Sequence, residues 1–440
     1  MKRTVYKNLL QWKNSERRKP LVLRGARQVG KTFILKEFGS SEYERTAHFD
    51  FEEDPDLDDI FSGKIVPSEI IKNLSRLQGW TINPESHLIV FDEIQASNHA
   101  LNALKYFQEK APDYHIAAAG SLLGVKLSRA KSFPVGKVNF LDLYPMTLME
   151  FLDACGKSGL REMIEEKTQP IPFAAPFHKE LINMLREYMY TGGMPEAVNY
   201  YCQSGDLQGV REIQKEIINS FILDFSKHAP NSDIPKISLI WDSVPTQLAR
   251  ENKKFMFSAI KKSARAREYE NAIEWLTNAG LILKSYCVSN AKRPLKGYMN
   301  REAFKVFMLD VGILSAMAGI PAEKVVRGDS LFNEYQGAFT ENYVAQQLKA
   351  MKTADLFYWK SEGKKAELDF LCEIGATVQP LEVKAGINPR SKSLKSYETQ
   401  YSPPVLSRTN LLNLKQDGKV CNYPLYAISL FPELGMLQSA

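Results

Sequence analysis

The chain has 440 residues, of which 44% are hydrophobic and 25% charged, and its formal net charge is +6. This length and composition are typical of a soluble globular protein with two to four domains, and the charge is compatible with a nucleic-acid partner without requiring one. No run reaches about 18 uncharged apolar residues and no apolar secretion signal follows the basic start, which excludes a membrane span and predicts a cytoplasmic protein with no membrane partner.

The strongest motif is LVLRGARQVGKTFILKEFG at residues 21–39. Its first three residues predict a short buried strand, and the segment from Gly25 to Thr32 fits the phosphate-binding pattern GxxxxGK[ST] at the start of a helix. Glycines let the backbone wrap phosphate groups, and the helix N-terminus supplies positive potential. We expect Lys31 to reach the β- and γ-phosphate oxygens in a catalytic role and Thr32 to ligate Mg²⁺.

A second apolar run, from His87 to Phe91, ends in the two carboxylates Asp92 and Glu93. The run predicts a strand buried on both faces, and acids at the C-terminal end of such a strand lie where ligands bind in an open α/β sheet. We expect Asp92 to hold Mg²⁺ through water and Glu93 to orient the water that attacks ATP.

Three further runs complete the predicted N-terminal sheet, at residues 45–51, 114–121 and 137–144. About five strands separated by helices predict an α/β fold with a parallel doubly wound sheet over residues 1–145. Ser121 ends its strand as a polar group that can sense a γ-phosphate, although a helix N-cap serine is an equally good interpretation. The residues predicted to bind nucleotide are Gly25, Gly30, Lys31, Thr32, Phe33 and Ser121.

Five segments, in the order RGARQVGKT, LIVFDEIQ, AAGSLLG, LYPMTLMEF and YTGGMPEAV, resemble the bacterial and archaeal AAA-superfamily ATPases that carry an uncharacterised C-terminal nuclease-like domain. The resemblance covers nearly the whole chain, and it implies the ATP and Mg²⁺ roles argued above. One departure is Lys137, where the family usually has arginine. If that position is an arginine finger, lysine lacks the bidentate fork, and Arg129 is a substitute. A second copy of the chain is a candidate partner.

The middle of the chain predicts two helical regions. Residues 146–204 contain two helical stretches around a Pro-rich linker, which we interpret as the lid of the ATPase, and GGMP at 192–195 predicts a structural turn. Residues 205–325 combine helices with two strand-like runs, at 281–288 and 305–309, which favours a winged helix-turn-helix, as the resemblance also implies. A basic cluster there favours DNA binding, although a solvated helix face or a protein-contact module are alternatives. The cluster consists of Lys253, Lys254, Lys261, Lys262, Arg265 and Arg267.

Residues 330–440 predict an α/β nuclease-like domain. A helix carries Glu341 on a partly apolar face, and three strand-like runs follow it at 356–359, 367–372 and 377–383. If these strands form a meander, Asp369 and Glu382 stand on neighbouring strands, with Lys384 on the face of Glu382.

These charged residues form a candidate metal site. Carboxylates that face one point suit Mg²⁺ or Mn²⁺, so we expect Glu341, Asp369 and Glu382 to ligate the metal and Lys384 to act in catalysis by holding the attacking water. The set resembles the PD-(D/E)xK nuclease pattern, and Gly337 with Glu341 matches its helix motif GxxxE. An ordinary charged hairpin, or an intact-looking site that binds without cutting, are the alternatives.

The cysteines and histidines suggest no further site. Five cysteines, at 155, 202, 287, 372 and 421, are scattered and show no CxxC pair. The six histidines show neither HxxxH nor HExxH. This distribution argues against a disulfide framework and against a structural zinc site.

Taken together, the motifs predict an AAA-type ATPase, with ATP and Mg²⁺ as cofactors, whose nucleotide state controls a DNA-binding, nuclease-like C-terminal domain. The alternative is a nucleotide-switched regulator that binds DNA or protein and has no nuclease activity. DNA is therefore a candidate partner in both interpretations.

Overall fold

A computed structural model of the chain describes residues 2–121, 136–250, 254–262, 264–323, 331–352, 355–361, 363, 366–386 and 391–436. The chain divides into two compact units. The N-terminal unit comprises residues 2–144 and 278–281, and the C-terminal unit comprises residues 145–277 and 282–440. Within the described ranges, no helix combines the length and apolar character that crossing a bilayer requires.

The N-terminal unit is an α/β sandwich. Its helices and strands are α1 Val5–Lys13, β1 Leu21–Arg24, α2 Lys31–Glu42, β2 Arg45–Asp50, α3 Leu57–Ile60, α4 Pro67–Gln78, β3 His87–Asp92, α5 Asn98–Lys110, β4 His115–Gly120 and β5 Asn139–Asp142. The strands pair in parallel in the order β2-β3-β4-β1-β5, which confirms the predicted five-stranded parallel sheet.

Both faces of this sheet are covered, as the apolar run from His87 to Phe91 predicts. Every residue of β3 is buried. Ile89 and Phe91 belong to a core cluster that includes Leu104 of α5, while the alternate residues Leu88 and Val90 are also fully buried. Because strand side chains alternate between the two faces, burial of both sets means that helices cover the sheet on either side.

A buried histidine at the start of β4 forms a hydrogen bond with a tyrosine that follows α2. His115 is 4% exposed, and its Nδ1 lies 2.7 Å from the hydroxyl of Tyr43. Burial, with the positive charges of Arg18 and Lys13, lowers the pKa of His115 to about 4. The folded chain therefore keeps this imidazole neutral at pH values where the unfolded chain has already taken up a proton.

This difference predicts an acid-dependent loss of stability. The stability that the neutral His115 contributes is present above the unfolded pKa of about 6.5 and is lost as the pH falls towards 4. Between pH 7 and pH 4.5 we expect the free energy of unfolding to fall by about 2 kcal/mol more in the wild type than in His115→Gln. Urea unfolding of both chains at the two pH values measures this, and an equal fall in both would contradict it.

The C-terminal unit combines a helical half with a large sheet. Its elements are α6 Leu148–Ala154, α7 Ser158–Glu165, α8 Ala175–Thr191, α9 Pro195–Ser204, α10 Leu207–His228, α11 Ile234–Leu248, α12 Ala266–Asn278, β6 Ile282–Val288, β7 Met299–Met308, α13 Val311–Met317, α14 Leu331–Lys352, β8 Leu356–Lys360, β9 Glu367–Ile374, β10 Thr377–Val383, α15 Lys392–Tyr401, β11 Leu406–Asn410, β12 Lys415–Asp417, β13 Val420–Pro424 and α16 Glu433–Met436.

The sheet of this unit has eight strands in the order β12-β13-β11-β10-β9-β8-β6-β7. Strands β8, β9 and β10 form the antiparallel meander that the sequence predicts, with Gly375 at φ 56° in the turn between the last two. After α15, β11 pairs with β10 in parallel. The three strands predicted within residues 356–383 are therefore present.

The ribbon of the predicted winged helix lies at the edge of that same sheet. Strands β6 and β7 pair in antiparallel fashion, but β6 also pairs in parallel with β8. A two-stranded ribbon is marginally stable alone, and pairing with β8 satisfies the backbone groups on the second side of β6. The sheet thus crosses the predicted boundary between residues 325 and 330, and a separate winged-helix domain stays a prediction.

One disulfide corrects the expectation drawn from the cysteine spacing. Cys155 and Cys202 are bonded, with Cα atoms 4.8 Å apart, while Cys287, Cys372 and Cys421 are free. The bonded cysteines are 47 residues apart in sequence and meet because α6 packs on α9. No sequence spacing marks a pair that helix packing alone brings together.

A buried polar cluster explains the GGMP turn. Asp310 accepts hydrogen bonds from the amides of Gly193 at 2.6 Å and Ile313 at 3.0 Å, and from the side-chain amide of Gln346 at 3.0 Å. Gly192 has a φ of 73°, and a Cβ atom there would lie 2.1 Å from Asp310 Oδ1. The turn therefore holds α8 against later helices of the same unit, which agrees with its interpretation as a structural turn.

Candidate functional site

The loop between β1 and α2 brings an ammonium group to a helix N-terminus. Gly30 adopts a left-handed φ of 92° just before α2, and in this fully described loop no side chain caps the helix. Lys31 is 5% exposed, and its Nζ donates to the carbonyl oxygens of Gly25 at 3.1 Å and Ala26 at 2.8 Å. A helix N-terminus without a side-chain cap and a buried ammonium group create the positive potential that phosphate groups require.

Tight packing explains why the loop begins with glycine. A Cβ atom on Gly25 would lie 2.2 Å from the carbonyl oxygen of Leu143. Arg3, which precedes α1, donates to the carbonyl oxygens of Val29 at 3.0 Å and Tyr144 at 2.6 Å. Arg3 therefore positions the loop from outside the motif. Sequence reasoning missed it, because nothing in the local pattern at the start of the chain indicates this contact.

The end of β3 places an ionised carboxylate beside the loop threonine. Asp92 is 1% exposed, and its Oδ2 lies 3.2 Å from His48 Nε2, while its Oδ1 accepts from the Glu93 amide at 3.0 Å. Thr32 also forms a side-chain hydrogen bond with Asp92. Burial acts to raise the pKa of Asp92, but these hydrogen bonds outweigh it and hold the pKa below its ordinary value. A hydroxyl beside an ionised carboxylate fits the oxygen ligands that Mg²⁺ prefers.

Glu93 joins this group to the end of β4. Its backbone is left-handed, with a φ of 45°, which is uncommon for a residue with a side chain. Glu93 Oε2 accepts from the amide of Ser121 at 3.3 Å and from its hydroxyl at 3.2 Å, and Gln95 Nε2 donates to the same oxygen. Hydrogen bonds thus connect Thr32, Asp92, Glu93 and Ser121 at the carboxyl edge of the sheet. We call these four residues, together with the loop from Gly25 to Lys31, the P-loop cluster.

Three other predicted residues lie outside the P-loop cluster. The side chain of Phe33 is 53% exposed on the first turn of α2. Lys137 Nζ forms an ion pair with Glu109 Oε1 at 3.0 Å. Arg129 lies outside the described residues, as does the segment that decides whether Ser121 caps a helix. Their roles stay predictions.

A second charged cluster lies in the C-terminal unit, where α14 packs on β7 and β10. Glu341 and Glu382 are 6% and 2% exposed, and the Val383 amide donates to Asp369 Oδ2 at 2.8 Å. Lys384 Nζ lies 2.5 Å from Glu382 Oε1. The structure therefore brings together all four side chains that the sequence proposes for this site.

Three members of this cluster, Lys305, Glu367 and Lys360, were not identified from the sequence. Lys305 on β7 is 1% exposed, and its Nζ lies 2.7 Å from Glu367 Oε1, 3.6 Å from Glu341 Oε2 and 3.8 Å from Asp369 Oδ1. The sequence does contain a signal for Lys305. The apolar run AFKVFM predicts a buried strand, and a lysine is almost never fully buried unless it is paired. Its partners lie in later elements, so the run alone does not identify them. We call these side chains, with Glu382, Lys360 and Lys384, the carboxylate cluster.

The electrostatics of the carboxylate cluster reflect its burial. Burial, together with the charges of Glu341 and Glu382, raises the pKa of Asp369 well above its ordinary value. Burial also raises the pKa of Glu382, although Lys384 opposes it. Burial acts to lower the pKa of Lys305, but the carboxylates around it outweigh this effect and raise the pKa.

The carboxylate cluster does not fit a divalent metal ion as it stands. In the described part of the chain, no three His, Cys, Asp or Glu side chains are placed to hold one. The predicted ligands Glu341 and Asp369 instead face the ammonium group of Lys305. The P-loop cluster fits Mg²⁺, because Thr32 and Asp92 are oxygen donors in contact.

Three family models match this chain, one after another. Residues 17–152 match an AAA domain, residues 182–324 match a domain of unknown function (DUF8612), and residues 336–426 match another domain of unknown function (DUF4143). A search of curated proteins finds no match. The AAA match covers the P-loop cluster and supports the interpretation of its geometry.

Solved structures offer distant likenesses. The Walker-type ATPase PABY2304 of Pyrococcus abyssi is 15% identical with a TM-score of 0.46, covering 72% of this chain and 95% of that one. The Orc1 protein of Aeropyrum pernix in complex with DNA is 12% identical with a TM-score of 0.30, covering 72% and 91%. Cdc6p from Pyrobaculum aerophilum is 13% identical with a TM-score of 0.26, covering 74% and 96%. At these values the likenesses carry no argument about function.

Proposed function

We propose that this chain, whose N-terminal unit is an AAA-type P-loop ATPase domain, hydrolyses ATP with Mg²⁺ and uses its nucleotide state to control DNA binding by the C-terminal unit. The observation that carries the proposal is the P-loop cluster. It places a loop that suits phosphate, a pair of Mg²⁺ ligands and a candidate base at one edge of the sheet.

Each residue of the P-loop cluster has a separate task in this proposal. The loop amides and Lys31 bind the phosphates, and Lys31 exchanges its carbonyl partners for phosphate oxygens. Thr32 and Asp92 would hold Mg²⁺, which supplies charge neutralisation at the β- and γ-phosphates. Glu93 orients the attacking water and accepts its proton, and Ser121 holds Glu93 in place through two hydrogen bonds.

The DNA-binding half rests on exposed charge in the C-terminal unit. Lys261, Lys262, Arg265 and Arg267 are exposed around the start of α12, within seven residues of each other. Lys254 is half-buried, and Lys253 lies outside the described residues. Four exposed cations on one short segment provide the phosphate contacts that sequence-independent DNA binding uses.

Reversing these charges should weaken DNA binding. With Lys261, Lys262, Arg265 and Arg267 all changed to Glu, we expect the Kd for duplex DNA at physiological salt to rise at least about tenfold, and the slope of log Kd against log salt to fall by about 3 to 4. Fluorescence anisotropy over a salt series measures both. Lys395→Glu, which reverses an exposed charge on α15, is the matched control and should change neither value.

Nucleotide control is tested on the same DNA. The Glu93→Gln chain, which we expect to bind ATP without hydrolysing it, is compared in its ATP-bound and ADP-bound states. We expect the Kd for DNA to differ between the two states. Equal affinities would contradict the switch. If the wild type binds no DNA even at low salt, the result would favour the alternative partner, a protein.

A further inference from the structure

We propose that the ammonium group of Lys305 is the resident cation of the carboxylate cluster, so that the C-terminal unit binds no divalent metal at Glu341, Asp369 and Glu382. The inference does not depend on ATP hydrolysis by the N-terminal unit. It concerns how the negative charge of the predicted nuclease-like site is neutralised.

The contacts of Lys305 are those of a central cation. Its Nζ lies 2.7, 3.6 and 3.8 Å from carboxylate oxygens of Glu367, Glu341 and Asp369, which come from α14 and β9. On another side it lies 5.0 Å from the ring centroid of Tyr358, whose π face also attracts a cation. The side chain is 1% exposed, so water contributes little to its solvation. Protein groups therefore supply the counter-charge that a buried ammonium requires.

The wider cluster is close to charge balance without a metal ion. Four carboxylates, those of Glu341, Glu367, Asp369 and Glu382, face three ammonium groups, those of Lys305, Lys360 and Lys384. The outer two lysines lie at short range, with Lys360 Nζ 2.6 Å from Glu367 Oε2 and Lys384 Nζ 2.5 Å from Glu382 Oε1. Lys360 and Lys384 thus each contact one carboxylate, whereas Lys305 is shared among three, one of which is the Glu367 that also pairs with Lys360.

A divalent ion at this place would compete with Lys305. Mg²⁺ and Mn²⁺ need carboxylate oxygens at about 2.0–2.2 Å, and Glu341 and Asp369 already face the ammonium group. Two cations that share these ligands would repel each other in a site with little water. Displacing Lys305 would leave a buried ammonium without its partners, which is costly. Lys305 therefore occupies the place beside Glu341 and Asp369 that a divalent ion would take.

Mn²⁺ binding tests this inference. All chains carry Asp92→Asn, which removes an Mg²⁺ ligand of the P-loop cluster, and bound Mn²⁺ is counted by electron paramagnetic resonance with thermal unfolding as a second readout. We expect the chain with native Lys305 to bind no Mn²⁺ at the carboxylate cluster. We expect Lys305→Met to bind one ion per chain, to gain thermal stability from Mn²⁺, and to lose both gains when Asp369→Asn is added.

The matched control is Lys360→Met, which removes the other lysine that pairs with Glu367 and leaves Lys305 in place. It should gain no Mn²⁺ binding. The inference is overturned if the chain with native Lys305 binds an ion that Asp369→Asn or Glu382→Gln abolishes, or if a folded Lys305→Met chain binds none. If Lys305→Met does not fold, the chain with native Lys305 and its Asp369→Asn and Glu382→Gln variants still decide the question.

Discussion

Replacing Glu93 with glutamine is expected to lower the rate of ATP hydrolysis about 100- to 10,000-fold while the Kd for ATP changes less than about tenfold. Glutamine cannot accept the proton of the attacking water. Its side-chain oxygen still accepts from the amide and hydroxyl of Ser121, so the left-handed turn after β3 keeps its contacts. Phosphate release at saturating ATP gives the rate, and calorimetric titration with ATP and Mg²⁺ gives the Kd.

Two further variants are compared with Glu93→Gln, one as a control and one with a smaller expected effect. Glu53→Gln changes an exposed carboxylate beyond β2 and should leave hydrolysis unchanged. Ser121→Ala removes one of the two hydrogen bonds from Ser121 and keeps the amide, so we expect a smaller loss than with Glu93→Gln. Unchanged hydrolysis in Glu93→Gln would remove Glu93 from its proposed role. A joint loss of ATP binding would show that Glu93 acts in folding of the site.

Replacing Asp310 with alanine is expected to lower the free energy of unfolding by about 3–5 kcal/mol. The change leaves the amides of Gly193 and Ile313 and the side-chain amide of Gln346 without this acceptor. Asp310 is fully buried, so water cannot replace the lost oxygens without opening the unit. Urea unfolding of the wild type and the variant measures the difference.

The chain contains a matched control for this prediction. Asp206 caps α10 as Asp310 caps α13, each through its side chain, but Asp206 is exposed. Asp206→Ala should therefore cost only about 1 kcal/mol, because water satisfies the freed amides. Asp310→Asn keeps one acceptor oxygen. It also avoids the cost of burying a charged carboxylate, the effect that raises the pKa of Asp310, so we expect an intermediate fall in the free energy of unfolding. Equal losses for Asp206→Ala and Asp310→Ala would show that burial adds nothing.

The P-loop cluster was predictable because its members are encoded locally. The glycine pattern before Lys31 specifies a turn and a helix start, and an apolar run before Asp92 specifies a strand end. Parallel strands bring such ends to one edge, so Thr32, Asp92 and Ser121 could be placed together before their contacts were known. His48, which holds Asp92, was missed because an isolated histidine in a strand has many possible partners.

The carboxylate cluster shows both what the sequence determines and what it leaves open. By itself the sequence determined the meander and the helix before it, since alternation and helical spacing record which side chains are buried, and this placed Asp369 and Glu382 side by side. Only the tertiary structure decided that β6 joins β8 and that β7 extends the sheet, which brings Lys305 to Glu341. Burial patterns specify that a residue has partners without identifying them, because strand pairing and charge neutralisation act between elements far apart in sequence.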